Sequence, residues 1–133
     1  MLFRSGCQGM DSTAQIVALD DDDEFLEELS YWFSINKLRA FCTTDPSSAM
    51  SVILRNRSIK VILVDFKMPL INGRNFIVTI YNQITSDRAL CFIIITANAE
   101  DIENKMIIEG RQVEVLHKPL DLERLRHLIE RNI

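Results

Sequence analysis

The sequence predicts an α/β fold in which a five-stranded parallel sheet is doubly wound by five helices. The first supporting observation is a set of short apolar runs rich in β-branched residues, of which 61–64 is the clearest. Strands with no polar face are typical of parallel sheets that helices cover on both sides. The second observation is that apolar residues at helical spacing follow each run. Such alternation favours right-handed crossovers between parallel strands.

The individual elements follow in chain order from these patterns. Residues 1–14 lack periodicity and are interpreted as a flexible leader, and one domain is expected over 15–133. The expected strands are 16–19, 39–43, 61–64, 90–95 and 113–116. Helical periodicity is expected from close to Phe25, Pro46, Phe76 and Asn98 and, for the last helix, over about 121–131. Five such units are expected to adopt the flavodoxin-like strand order 2-1-3-4-5.

Capping and stop signals support two of these helices. Asp45 precedes Pro46, which places a capping side chain before a proline in the first turn of the second helix. Asn98 is expected to cap a fourth helix that carries Met106 on its inner face, and Gly110 is expected to end that helix. The fourth helix would then occupy the segment between the last two strands.

Composition excludes several classes of function. The net charge is −4 and no run of Lys or Arg occurs, so nucleic-acid binding by this chain alone and membrane-surface binding have no electrostatic support. No apolar run is long enough for a transmembrane helix or a signal peptide, which favours the cytoplasm. Cys7, Cys42 and Cys91 form no C-x-x-C pair and are interpreted as thiols in a reducing compartment.

Polar residues follow four of the predicted strands at the point where each strand ends. Asp65 directly follows the buried run 61–64, which places its carboxylate at the edge of the sheet where open α/β folds bind ligands. In the order 2-1-3-4-5, strands one, three, four and five are neighbours. The residues expected to converge at their ends are therefore Asp20, Asp21, Asp65, Thr96 and Lys118.

This set of residues suits a phosphoryl group and a divalent metal. Three carboxylates in one cleft repel each other, and one would become protonated unless a cation were present. Mg2+ prefers oxygen ligands and often combines one or two carboxylates with a phosphate oxygen. A lysine supplies a mobile positive charge and a threonine a directed hydroxyl. Asp65 would then act as a nucleophile that forms an acyl phosphate.

Four segments at these strand ends carry a resemblance to a known family. They read IVALDD at 16–21, VDFKMP followed by Gly73, IIITA at 93–97 and LHKP at 116–119. From Gln15 to Asn132 the chain resembles the receiver domain of two-component response regulators, in a stand-alone form similar to the chemotaxis regulators. The resemblance implies that Asp65 accepts a phosphoryl group from phosphohistidine. It also implies that Thr96 and Lys118 read the phosphorylated state.

The same resemblance implies a cofactor, partners and a limited activity. The implied Mg2+ ligands are Asp20, Asp21, Asp65 and the backbone carbonyl of Lys67. The implied partners are a sensor histidine kinase or a histidine phosphotransfer protein, and a downstream protein at the face formed by helix 4, strand 5 and helix 5. Whether that face also forms a homodimer is left open. The chain would be a phosphoacceptor with at most self-phosphorylation and slow self-dephosphorylation, and not an enzyme.

One departure from the family pattern keeps an alternative function open. Val115 stands where the family often has an aromatic residue that moves together with the threonine. The alternative is a degenerate receiver, a protein-interaction module that works without phosphorylation. A phosphatase with an aspartate nucleophile is disfavoured because its D-x-D pattern would need an acid where Lys67 stands. Nucleotide binding is disfavoured because no glycine-rich loop follows the first strand.

Overall fold

A six-stranded sheet forms the centre of the molecule. The computed structural model describes residues 13–97 and 105–133, and of Lys105 only the backbone. The strands are β1 (Ile16–Leu19), β2 (Ala40–Thr43), β3 (Val61–Asp65), β4 (Cys91–Thr96), β5 (Lys105–Ile108) and β6 (Arg111–His117). Their order in the sheet is β2-β1-β3-β4-β6-β5. All neighbours are parallel except β5 and β6, which confirms the predicted doubly wound, flavodoxin-like arrangement for the five parallel strands.

Helices in the described part of the chain begin at side chains that cap them. The helices are α1 (Asp23–Ile35), α2 (Pro46–Arg55), α3 (Gly73–Tyr81) and α4 (Leu122–Glu130). The capping residues, each accepting a hydrogen bond from a backbone N–H of the first turn, are Asp22, Asp45, Asn72 and Asp121. These carboxylate and amide oxygens satisfy donors that have no partner within the helix. The local sequence therefore explains where each helix starts.

The prediction of a fourth helix that passes through Met106 and ends at Gly110 is wrong for the described residues. Residues Lys105–Ile108 form β5, which pairs antiparallel with β6, so the sheet has one more strand than expected. Glu109 and Gly110 both have positive φ, 52° and 76°, as in a two-residue β-hairpin turn. Asn98 and the rest of the expected first turn lie outside the described residues. A glycine with positive φ also ends helices, which explains the error.

The core consists of two apolar layers, one on each face of the sheet. On one face, Val17, Ile62 and Val64 pack with side chains of α2 and α3. On the other face, Ile16 and Leu63 belong to the layer that contains side chains of α1 and α4. All five residues of β3 are buried, as expected for a central parallel strand. Burying each such Leu or Ile side chain contributes about 1.5–3 kcal/mol to folding.

Most of the predicted leader, including Cys7, lies outside the described residues. Ala14, at the end of the predicted leader, is buried in the core. Cys42 is buried and Cys91 half-buried, and burial raises the pKa of the Cys91 thiol to about 11. A thiol with so high a pKa is a poor nucleophile at neutral pH. Within the described ranges, no helix is both long and apolar enough to cross a membrane.

Candidate functional site

The carboxyl ends of the central strands bring the predicted polar residues to one edge of the sheet. Asp20 follows β1 directly, and Asp65 is the last residue of β3, whose register with β1 pairs Leu19 with Val64. Thr96 is the last residue of β4 and is buried. The backbone N–H of Lys118, just after β6, donates to the carbonyl of Thr96 at 2.8 Å. The parallel register thus places all four positions at the same edge.

Three carboxylates form a compact cluster at this edge. One carboxylate oxygen from each of Asp20, Asp21 and Asp65 lies within 4.8 Å of the others. Asp20 and Asp65 are 2% and 7% exposed, whereas Asp21 faces solvent. Oδ1 of Asp20 accepts a hydrogen bond from the backbone N–H of Asp22 at 2.9 Å. Oδ2 of Asp20 is enclosed, and it forms an ion pair with Nζ of Lys118 at 2.9 Å.

A glycine allows helix α3 to begin close to the backbone of Asp65. A Cβ atom at Gly73 would lie 2.8 Å from the carbonyl oxygen of Asp65, which is too close for any side chain. The N–H of Gly73 donates to the carbonyl of Phe66 at 2.8 Å and closes the loop between β3 and α3. Gly73 is therefore required by close approach of two backbone segments, and it holds the loop that contains Lys67 against the site.

The side chain of Lys118 reaches two of the carboxylates. Its Nζ lies 2.9 Å from Oδ2 of Asp20 and 3.9 Å from Oδ1 of Asp65. The ammonium therefore pairs mainly with Asp20. Lys118 supplies one positive charge to a cluster of three carboxylates, which does not balance their combined charge.

Electrostatics within the cluster favour proton or cation uptake. Burial, followed by the negative charge of Asp20, raises the pKa of Asp65 to about 7, although Lys118 acts in the opposite direction. Burial also raises the pKa of Asp20, partly offset by its hydrogen-bonding contact with Lys118. Both shifts arise because water no longer solvates the charged carboxylates. A divalent cation with oxygen ligands would relieve the same deficit, so the enclosed oxygen of Asp20 and the all-oxygen donor set fit Mg2+.

Two other residues from the sequence analysis occupy contrasting positions. Lys67 lies in the exposed loop after β3, two residues beyond Asp65, and the predicted role of its carbonyl as a metal ligand stays a prediction. Val115 is fully buried in β6, within the apolar layer that packs with α2 and α3. No aromatic ring stands at position 115 to change rotamer, so any conformational response of this chain must use other side chains.

Sequence reasoning missed the contact that Phe25 makes with the site. Apolar spacing predicts only that Phe25 belongs to the first helix, and in the structure its ring lies under the ammonium of Lys118, with Nζ 4.2 Å from the ring centroid. Both residues line a groove of about 270 Å³ between α1 and the segment after β6, together with Glu28, Leu29, Trp32, Pro119, Leu120 and Leu122. No sequence pattern could have found this contact, since it depends on how α1 packs beside Lys118.

Solved structures show the same fold at low sequence identity. The chemotaxis protein CheY4 of Vibrio cholerae is 18% identical, with a TM-score of 0.72 over 91% of this chain and 99% of that one. The receiver domain of the Francisella response regulator 1452 is 23% identical, with a TM-score of 0.68 over 89% of this chain and 98% of that one. A complex of the Saccharomyces cerevisiae phosphotransfer protein Ypd1 with the Ssk1 receiver domain matches at 15% identity and a TM-score of 0.68, over 88% of this chain and 86% of that one.

Sequence comparison identifies the family. No curated protein matches the chain significantly. A family model described as the response regulator receiver domain matches residues 16–130, which include every predicted site residue. The match covers most of the chain and agrees with the parallel order of the sheet and with the acidic cluster at its carboxyl edge. The chain therefore belongs to the response regulator receiver domains.

Proposed function

We propose that this receiver domain accepts a phosphoryl group on Asp65 from a phosphohistidine. The observation that supports the proposal best is the joint placement of three carboxylates with Lys118, whose Nζ lies 2.9 Å from Asp20 and 3.9 Å from Asp65. A carboxylate oxygen of Asp65 attacks phosphorus and forms a P–O bond. The P–N bond to the donor imidazole breaks, and its electron pair stays on the imidazole nitrogen. The product is an acyl phosphate.

The other residues of the site orient the phosphoryl group and balance its charge. Asp20, Asp21, Asp65 and the carbonyl of Lys67 would hold Mg2+, which neutralises charge on the phosphoryl oxygens when bound. Lys118 contacts one phosphoryl oxygen, and for this it must shift its main pairing away from Asp20. The hydroxyl of Thr96 donates to another oxygen. In this scheme Thr96, at the end of β4, and Lys118, just after β6, change their contacts on phosphorylation and so couple it to these two strands.

The proposed partners follow from the chemistry of the donor. Phosphohistidine is carried by sensor histidine kinases and by histidine phosphotransfer proteins, and the Ssk1 receiver, which shares this fold, was crystallised with such a protein. For the downstream target we propose the face of β5, β6 and α4. The strand β5 replaces part of the helix expected there, and Ile107 on this strand is 64% exposed.

A degenerate receiver remains the second candidate because of Val115. A fully buried valine at this position removes the aromatic switch that the family often uses. A chain of this kind would bind its partner in the same way with and without phosphate. The two candidates therefore differ in whether Asp65 becomes phosphorylated and whether the surface then changes.

The first test is intact mass after incubation with phosphoramidate, with and without Mg2+. The wild-type chain is expected to gain one phosphoryl group only when Mg2+ is present, and Asp65→Asn is expected to gain none. Asp45→Asn is the matched control, because Asp45 is an exposed helix cap and asparagine caps equally well. A folded wild-type chain that gains no phosphoryl group would support the degenerate receiver, and an adduct that persists in Asp65→Asn would refute Asp65 as the acceptor.

A further inference from the structure

We infer that Phe25 is a positioning residue that holds the ammonium of Lys118 against Asp20; the inference deepens the proposed function and rests on it. The Nζ atom lies 4.2 Å from the centroid of the Phe25 ring while it contacts Asp20 at 2.9 Å. The face of an aromatic ring carries partial negative charge and attracts a cation. The ammonium is thus held from two sides, by a ring and by a carboxylate.

The ring and the carboxylate are fixed relative to each other by the start of α1. The N–H of Phe25 donates to Oδ1 of Asp22 at 3.2 Å, and the N–H of Asp22 donates to Oδ1 of Asp20 at 2.9 Å. Asp22 therefore links the carboxylate that pairs with Lys118 to the helix that carries the ring. A lysine has a flexible four-carbon stem and would otherwise sample many rotamers. The helix start provides a rigid frame that limits this sampling.

Restraining Lys118 next to Asp20 has opposite effects on the affinity for a metal ion and on the rate of phosphoryl transfer. While Lys118 stays on Asp20, its positive charge competes with a divalent cation for that carboxylate. The same restraint keeps the ammonium next to Asp65, 3.9 Å from Oδ1, where an incoming phosphoryl group needs it. Removing the ring should therefore raise the affinity for Mg2+ and slow acyl phosphate formation at saturating Mg2+. General destabilisation of the site would instead weaken both.

The test compares Phe25→Leu, which keeps an apolar side chain without a ring, with Phe25→Tyr, which keeps the ring. Phe25→Leu is expected to bind Mg2+ about threefold more tightly and to react with phosphoramidate about threefold more slowly, and Phe25→Tyr to behave like the wild type. Trp32→Leu is the matched control, since Trp32 lines the same groove and its ring contact is with Phe33. The control is expected to change neither quantity.

A double-mutant cycle with Lys118→Ala asks whether Phe25 acts through the lysine. If it does, Phe25→Leu has no further effect on Mg2+ affinity or rate once Lys118 is alanine. Additive effects would overturn the inference, and so would a parallel loss of affinity and rate in the single variant.

An NMR measurement keeps this result separate from the proposed function. The ring current of Phe25 should move the ε-methylene protons of Lys118 upfield in the wild type and in Phe25→Tyr, but not in Phe25→Leu. An unchanged shift in Phe25→Leu would refute the contact. If no variant forms an acyl phosphate, the proposed function fails, while the proton shift and the Mg2+ titration still decide the role of Phe25.

Discussion

Two half-buried cationic side chains, Lys118 and Arg88, lie at opposite edges of the sheet. One is surrounded by charged carboxylates and the other by neutral carbonyls. At the carboxyl edge, Lys118 faces the carboxylates of Asp20 and Asp65. At the amino edge, the guanidinium of Arg88 donates to neutral carbonyls at the end of α2 and the segment that follows it. These carbonyl oxygens belong to Ile53, Asn56 and Ile59, at 2.6, 2.8 and 3.5 Å.

The difference contrasts a cation whose hydrogen bonds are satisfied by carbonyls with a cation that only partly neutralises the carboxylates around it. The carbonyls around Arg88 are helix-end acceptors that need a donor, and a cation suits the negative end of the α2 dipole. The carboxylates around Lys118 carry more negative charge than the lysine supplies, and the pKa of Asp65 is raised to about 7 as a result of burial and of Asp20. Unbalanced charge of this kind costs stability and is typical of functional sites.

The largest expected effect is on the reaction at the carboxyl edge. Lys118→Ala should slow phosphorylation by phosphoramidate about 100-fold, because it removes the cation that stabilises charge on the transferring phosphoryl group. Its free energy of unfolding should change by less than about 1 kcal/mol, because Asp20, which loses its ion-pair partner, or Asp65 can take up a proton instead. Intact-mass time courses and urea denaturation measure the two effects. Lys60→Ala, an exposed lysine at the other edge, is the control. If Lys118→Ala instead had a small effect on the phosphorylation rate and a large loss of stability, Lys118 would resemble Arg88 and the comparison would be contradicted.

The second effect is on stability at the amino edge. Arg88→Ala should lower the free energy of unfolding by about 2–3 kcal/mol, since buried carbonyls lose charged donors. The phosphorylation rate of the folded variant should stay within about twofold of wild type, because the carbonyls that Arg88 contacts lie at the opposite edge of the sheet from the site. Urea denaturation checks the first part. Arg57→Ala is the control, because the ion pair of Arg57 with Asp87 is exposed and worth less than about 1 kcal/mol.

The third prediction concerns how much the acidic cluster lowers the free energy of unfolding in the absence of metal. The pKa of Asp65 lies above its ordinary value of 3.8, so the folded chain binds more protons than the unfolded chain between about pH 4 and 7. Stability without Mg2+ should therefore fall as the pH rises through this window. Asp65→Asn removes the penalty and should raise the free energy of unfolding at pH 8 by about 1–2 kcal/mol, with a smaller gain at pH 5. An equal gain at both pH values would contradict the assignment to Asp65.

The smallest expected effect concerns Mg2+ binding as a function of pH. Protons and Mg2+ compete for Asp65, whose pKa is about 7 in the absence of metal. Affinity should therefore fall as the pH decreases from 8 to 6, by at most about tenfold for one titrating group. Titration calorimetry of the wild type measures this change. In Asp65→Asn the affinity should be weaker and nearly independent of pH over the same range.

Much of the architecture and of the site was predictable because it depends on local chemistry. Short β-branched runs such as 61–64 form buried strands because they have no polar face, and Asp45 with Pro46 starts a helix here because the carboxylate caps the first turn and proline fits within it. Parallel strands place their carboxyl ends together, so the strand order alone predicts that Asp20 and Asp65 meet. No local pattern predicted the contacts of Arg88, because its partners are backbone carbonyls distant in the sequence.

Only the tertiary structure decided the secondary structure around Gly110 and the contacts of Lys118, because local sequence patterns allow more than one outcome for each. A positive φ at Gly110 suits a helix end and a hairpin turn equally, and only pairing with β6 selects the strand β5. The pairing of Lys118 with Asp20, and the ring of Phe25 beside it, depend on distances between elements that are remote in sequence. Sequence alone determined which strand-end groups reach the site, because strand ends are local features. Packing decided which of them touch, because contact distances are set by the whole fold.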